Sequence, residues 1–268
     1  MITKVHFVTR PSIGLDRILH YLIQYMPDNF QRVSSLDKAD LAVLFVCGRR
    51  DQTQLLAQQI VKDGKQYAVI QIALGSTRNP DPNDWATIWQ GANVVWSYYS
   101  LPIKDQFYHA PMGADPLVFH PLALPKKYII AMTGQNMRKE CLFECRKAAF
   151  RIGEKTYLAQ GITDSELNRV YNSSWYVNGL RRDDGFEMPA AEALIAGTRP
   201  IMFDNPNFRQ WFDGLAVFVP ERPVSQLVDE LVKVLSKQPK PMTPAQIQEA
   251  RDRFNWRKIV TGFWERCE

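Results

Sequence analysis

Residues 183–201 read DDGFEMPAAEALIAGTRPI, and the order of residue types in that stretch predicts a short helix between a loop and a strand. Pro189 suits the first turn of a helix, where a missing N–H costs nothing, and the run 190–196 consists of good helix formers. Gly197 suits the following position, which requires a left-handed backbone. The loop 184–188 ends where free backbone N–H groups and the positive end of the helix dipole suit a phosphate. Beyond Gly197, residues 200–203 read as a strand. Loop, helix and strand form one repeat of an α/β layer.

Working outward, the same alternation of short β-branched or aromatic runs with helical spacing covers the chain. Strands are expected at 128–132, 156–159, 175–178, 200–203 and 216–219, with helices at 138–152, 164–172, 189–196, 207–212, 224–236, 244–254 and 256–265. Thr163 and Glu166 have the spacing of a capping box. In the first half strands are expected at 4–9, 41–46, 67–72, 94–97 and 108–111, and helices at 14–25, 51–62 and 101–106. Between the halves, ADPLVFHPLALPKK at 114–127 carries Pro116, Pro121 and Pro125, a density that resists helix and central strand and predicts a linker. The expected architecture is α/β, two Rossmann-like doubly wound domains facing a cleft. Residues 1–120 form the first, 121–240 the second, and 241–268 are helices returning toward the first. Such sheets bind ligands outside the carboxyl ends of their strands.

With 268 residues, 46% hydrophobic and 23% charged, the composition is that of a folded globular protein. Apolar runs such as 41–47 are strand-sized, far short of the roughly 20 residues that cross a bilayer. Residues 1–9 read as a strand and not as a cleavable leader, so a cytoplasmic location with no membrane span is expected. Cys47, Cys141, Cys145 and Cys267 are scattered, and the three residues between Cys141 and Cys145 match a helical turn better than a zinc or redox pair. His6, His20, His109 and His120 are equally dispersed, so no metal is expected. The net charge of +5 suits an anionic partner, and much of the excess lies in 126–155, where Arg138 and Lys139 stand at the start of a helix. Cations are disfavoured at a helix N-terminus unless an anion is present.

The stretch 184–201 resembles the signature of the retaining GT-B glycosyltransferases of family 4. In that family an acidic residue, Gly-Phe-Gly and Pro lead into a helix bearing a glutamate eight positions after the acid. The matching residues are Asp184, Gly185, Phe186, Pro189 and Glu192, followed by Ala193, Leu194, Gly197, Thr198, Arg199 and Pro200. Glu187 replaces the second glycine, and Asp184 stands where the family usually has Glu. Three further segments match in the same order: residues 110–115 with Phe119 and Pro121 look like the inter-domain turn, 128–139 (YIIAMTGQNMRK) like the first strand and phosphate-binding loop of the donor domain, and Phe254, Asn255 and Trp256 like the closing segment. Gln135 stands where the family has Arg.

This resemblance implies a glycosyltransferase whose co-substrate is a nucleotide sugar, most simply a UDP-sugar, with no further cofactor. Glu192 would accept hydrogen bonds from the donor's ribose, and Asp184 would contact the transferred sugar. The backbone of Phe186, Glu187 and Met188 would hold the diphosphate, with Gly134, Thr163 and Gly185 lining the same site. Lys139 takes the role of the family's lysine, with Arg138 as substitute for the missing arginine. Arg138, Lys139 and Asp184 are the catalytic candidates. Breaking the bond from the anomeric carbon to phosphate builds negative charge on the diphosphate, so stabilising that charge is the main catalytic task. The attacking hydroxyl would arrive on the face the phosphate leaves, with retention, and a phosphate oxygen would take its proton.

For the acceptor, basic residues follow several first-half strands: Arg10, Arg49, Arg50 and Arg78, with Gly14 in what remains of a glycine-rich loop. Guanidinium groups suit phosphate or carboxylate. Trp85, Trp89, Trp96, Tyr98 and Tyr99 offer either stacking surfaces for unstacked bases or core. A hydroxymethylated base in DNA is the favoured acceptor, as in small virus-encoded DNA glycosyltransferases, and a cell-envelope glycan or lipid-linked sugar is the alternative. A GT-B protein of another class, an epimerase-like enzyme or a binding subunit, fits the same donor motif.

Overall fold

In a computed structural model of the chain, residues 2–10, 12–74, 85–134, 137–182 and 185–268 are described. They divide into two compact units, Met1–Met112 with Trp256–Glu268, and Gly113–Asn255.

The first unit carries strands β1 (Thr3–Val8), β2 (Phe30–Arg32), β3 (Leu41–Cys47), β4 (Gln66–Ala73), β5 (Val95–Ser97) and β6 (Phe107–His109), and helices α1 (Ile13–Gln24), α2 (Arg50–Lys62) and α3 (Ala86–Trp89). All pairings are parallel, in the order β2-β1-β3-β4-β5-β6. The central strands β3 and β4 are nearly continuous apolar runs, as expected of parallel strands covered on both faces.

The second unit carries β7 (Tyr128–Thr133), β8 (Thr156–Ala159), β9 (Ser174–Gly179), β10 (Arg199–Phe203) and β11 (Val217–Val219), with helices α4 (Leu142–Arg151), α5 (Asp164–Asn172), α6 (Met188–Ile195), α7 (Pro206–Phe212), α8 (Val224–Leu235) and α9 (Pro244–Arg253). This sheet is also parallel, in the order β11-β10-β9-β7-β8. The chain is thus α/β with two Rossmann-like doubly wound units. Helix ends follow local chemistry. Thr163 and Glu166 close a capping box on α5, and α6 ends with Gly197 at φ 84°. The N–H groups of Gly197 and Thr198 return to the carbonyls of Leu194 and Ala193, the reciprocal pair of a Schellman motif.

The last helix, α10 (Trp256–Trp264), belongs to the first unit. Trp256 stacks on Tyr21 at 4.9 Å, Phe263 meets Trp96 at 5.6 Å, and the Trp264 indole N–H donates to the Leu22 carbonyl at 3.1 Å. The tail 241–268 is therefore divided, α9 packing with the second unit.

Two local expectations are corrected. Residues 101–106 form no helix: Pro102 biases Leu101 away from helical geometry, and six residues close too few hydrogen bonds to offset nucleation. Helix α4 starts at Leu142 and not at 138, because Cys141 takes a left-handed backbone (φ 52°) that separates it from a turn at 137–140. The proline-rich stretch 114–127 is ordered within the second unit. Ala114 bridges to Asn255, the N–H groups of His120 and Leu122 donate to the side chains of Asn168 (3.2 Å) and Asn172 (2.6 Å), and Phe119 is buried. Trp85, Trp89, Trp96, Tyr98 and Tyr99 are all buried, which removes them as stacking surfaces. Each indole N–H has a partner, from Trp85 to the Leu74 carbonyl, Trp89 to Gln71 and Trp96 to the Ala110 carbonyl, so these rings fill core at no polar cost. Among the described residues no helix is long and apolar enough to cross a membrane.

Candidate functional site

In the second unit the strand order reverses between β7 and β9, because β8 lies on one side of β7 and β9 on the other. The carboxyl ends flanking such a reversal are where doubly wound sheets bind ligands. The register Ala131↔Val177 brings two loops together there: the one after β7, with Gly134 and the turn 137–140, and the one after β9, which runs through Arg181 to α6.

Gly134 holds φ at 112°, a region that only glycine occupies without strain. Its carbonyl accepts from Gln160 Nε2 at 2.5 Å. A Cβ at this position would overlap the carboxylate of Glu140, which lies against the glycine. Glu140 is buried; its backbone carbonyl accepts from Asn178 Nδ2 at 2.7 Å, and its Oε1 lies 3.2 Å from Arg181 Nη1. Arg181 Nε lies 3.4 Å from Oε1 of Glu187, the N-cap residue of α6, which is 6% exposed. That distance and the lack of hydrogen-bond geometry make it an ion pair and not a directed bond. One guanidinium thus serves two carboxylates at the edge of the sheet. The neighbouring Arg182 is committed elsewhere: its N–H donates to the Lys139 carbonyl at 3.0 Å, and its guanidinium to Glu221 Oε1 (2.7 Å) and the Arg222 carbonyl (2.9 Å).

Arg138 and Lys139 are exposed on the turn before α4 and not in its first helical turn. Gly185, Phe186 and Glu187 are buried, and Phe186 packs on Phe212 (5.1 Å) and Phe254 (5.9 Å). Met188 is half-buried and opens α6. Glu192 is only 2% exposed, and its Oε2 accepts from the Tyr171 hydroxyl at 3.2 Å. Thr163 is engaged locally: its Oγ1 accepts from the Glu166 N–H at 3.2 Å and donates to Glu166 Oε2 at 2.8 Å. Asp183, Asp184 and Gln135 lie outside the described residues. Burial pushes the Cys141 thiol up to about 12 and raises that of Cys145 as well, so neither supplies a thiolate near neutral pH.

In the first unit the reversal lies between β1 and β3. Arg10 follows β1, while Arg49 and Arg50 follow β3, so three of the expected acceptor residues share that edge. Arg10 Nη2 donates to Cys47 Sγ at 3.2 Å, linking the two loops. Arg49 is left-handed (φ 55°) and caps α2, and Arg50 pairs with Asp51 at 3.3 Å in an exposed contact. Gly14 sits inside α1 with open space at its Cβ position, so no steric demand calls for glycine there. Arg78 lies outside the described residues. Among the described residues no group of three His, Cys, Asp or Glu is arranged to hold a metal.

Arg181 and Glu140 are the residues of this edge that sequence reading passed over. Their signal is slight: a basic pair shortly after an expected strand, and an acid in an otherwise basic turn.

No protein-family model and none of the curated proteins matches the chain. Solved structures do. HepE of Anabaena in complex with UDP superposes with a TM-score of 0.73 over 99% of both chains at 7% identity. A sucrose-phosphate synthase from Thermosynechococcus elongatus gives 0.71 over 98% of both at 12% identity. A putative UDP-N-acetylglucosamine 2-epimerase from Listeria monocytogenes gives 0.60 over 98% of this chain and 95% of that one at 9% identity. Matches of this depth over whole chains establish the GT-B fold.

Proposed function

We propose that the chain is a retaining glycosyltransferase that binds a UDP-sugar on its second unit and transfers the sugar to a hydroxyl of an anionic acceptor, with a hydroxymethylated base in DNA as the specific candidate. The observation that carries this reading is the meeting, at the carboxyl ends of β7 and β9, of a left-handed glycine loop, the amino end of α6 and the Arg181 guanidinium. Backbone N–H groups and a helix dipole suit a diphosphate, and nearby Arg and Lys side chains stabilise the charge that develops on it as the glycosidic bond breaks. The run of residues shared with family 4 around Glu192 supports the donor class, as does the fold shared with a UDP-bound protein.

In this reading Arg138 and Lys139 face the leaving diphosphate, Asp184 the transferred sugar and Glu192 the ribose. No metal takes part. Arg10, Arg49 and Arg50 supply positive charge for the acceptor. The buried tryptophans contribute nothing to base stacking, so an acceptor in DNA would be held through its phosphates, and transfer should fall steeply with salt. Salt-independent transfer to a neutral glycan would replace DNA by the cell-envelope alternative.

The direct test is a thermal-shift screen against nucleotide sugars, since a ligand at 100 times its Kd stabilises the folded form by about 2.7 kcal/mol. A UDP-sugar should raise the midpoint, and Glu192→Ala should remove that rise. Lys139→Ala should bind donor yet turn over more slowly, read as slow hydrolysis of the UDP-sugar to UDP. Absence of any nucleotide effect would refute the reading. One observation favours a second class: two carboxylates sit at the donor edge, and the putative UDP-N-acetylglucosamine 2-epimerase from Listeria monocytogenes shares the fold. Appearance of an epimeric UDP-sugar without free UDP would decide for it.

A further inference from the structure

We infer that Arg181 is a donor-binding residue that contacts the diphosphate directly, and that Glu140 is an internal competitor whose carboxylate occupies the place of one phosphate group. This rests on the reading of the second unit as a nucleotide-sugar site and adds two residues that the signature does not contain.

Three observations lead there. Arg181 lies two residues beyond β9, at the reversal of strand order, and reaches both the turn before α4 through Glu140 and the amino end of α6 through Glu187. It therefore spans the two features that suit a diphosphate. Its side chain is 37% exposed while those of Glu140 and Glu187 are 11% and 7%, so the cation lies outermost and its carboxylates lie beneath it. The Glu140 carboxylate rests against Gly134, where a Cβ would collide with it. A position that admits a planar anion against bare backbone also admits a phosphate oxygen.

Charge decides which carboxylate yields. Both carboxylates lie against the Arg181 guanidinium, so a diphosphate reaching that guanidinium meets like charge, which is repulsive at such range. Glu187 gains from the dipole of α6 at its N-cap position. Glu140 stands on a turn outside any helix and has no such support. Donor binding thus exchanges Glu140 for a phosphate oxygen on Arg181, whose planar fork accepts either anion in the same geometry.

The test is titration of the full chain with UDP, and with uridine as a control lacking phosphate, in wild type, Arg181→Met, Arg181→Lys and Glu140→Gln. Arg181→Met should weaken UDP by about tenfold or more and leave uridine unchanged, with Arg181→Lys in between. Glu140→Gln, which keeps the shape and removes the charge, should tighten UDP. Opposite signs from two members of one ion-paired cluster are what a purely structural role does not produce. If wild type binds UDP and the variants match it, or if Arg181→Lys and Glu140→Gln weaken it alike, the inference falls and the donor assignment stands. If wild type binds no nucleoside diphosphate, both fall. Should Arg181→Met fail to fold, Arg181→Lys and Glu140→Gln carry the comparison.

Discussion

Gly134 combines two constraints, a backbone region that other residues enter only with strain and a neighbouring carboxylate where a Cβ would lie. Gly134→Ala should therefore cost about 1–3 kcal/mol, seen as a lower urea midpoint with unchanged slope. Lys126 is a different kind of residue. Burial lowers its ammonium to about 8, while its Nζ donates to the Ser174 carbonyl at 2.6 Å. Because the folded chain gives up this proton before the unfolded one does, the unfolded state binds more protons between about pH 8 and 10.5, and this group's contribution to stability rises with pH through that window. Lys126→Gln should flatten that rise. The difference between variant and wild type isolates it from Tyr67, Tyr108 and Tyr176, whose raised phenols act in the opposite sense at higher pH. Glu192 and Glu187 were legible in sequence because they sit in one contiguous string. Arg181 and Glu140 were not, since what joins them is the adjacency of β7 and β9 across some forty residues of chain.

At the scale of elements, the strands of the sheet centres were legible because burial on both faces demands unbroken apolar runs, as in β3 and β7. Strand β2 escaped reading, for it has three residues of which only Phe30 is buried, and it exists by pairing at the edge of β1. Helix α3 is a single turn fixed by the burial of Ile88 and Trp89 rather than by propensity. The cap of α5 was legible because Thr163 and Glu166 lie within four residues, whereas the box of the same spacing at Thr243 and Gln246 on α9 was not read. At α5, Thr163→Ala should remove about 1 kcal/mol and speed amide exchange in the first turn of that helix. The expectation that Thr163 also serves the donor is separable from this, because Thr163→Asn keeps an N-cap without the hydroxyl and would leave donor affinity unchanged if capping is its whole role.

For the molecule as a whole, two units of the same strand plan account for the parallel sheets and for the two reversal points on which the functional reading rests. The units differ in how they are completed. The second is assembled from one continuous stretch, Gly113–Asn255, whereas the first needs α10 from the far end of the chain. Trp264→Ala should cost about 3–5 kcal/mol, measured by chemical denaturation, while leaving the proposed UDP binding to the second unit in place. That division sets a timetable for biosynthesis. A ribosome delivers the first unit's sheet early, but the tryptophans that cover it emerge last, after every residue of the second unit. The later-made half can close while the earlier-made half still waits with an uncovered apolar face, which inverts the usual order of co-translational folding.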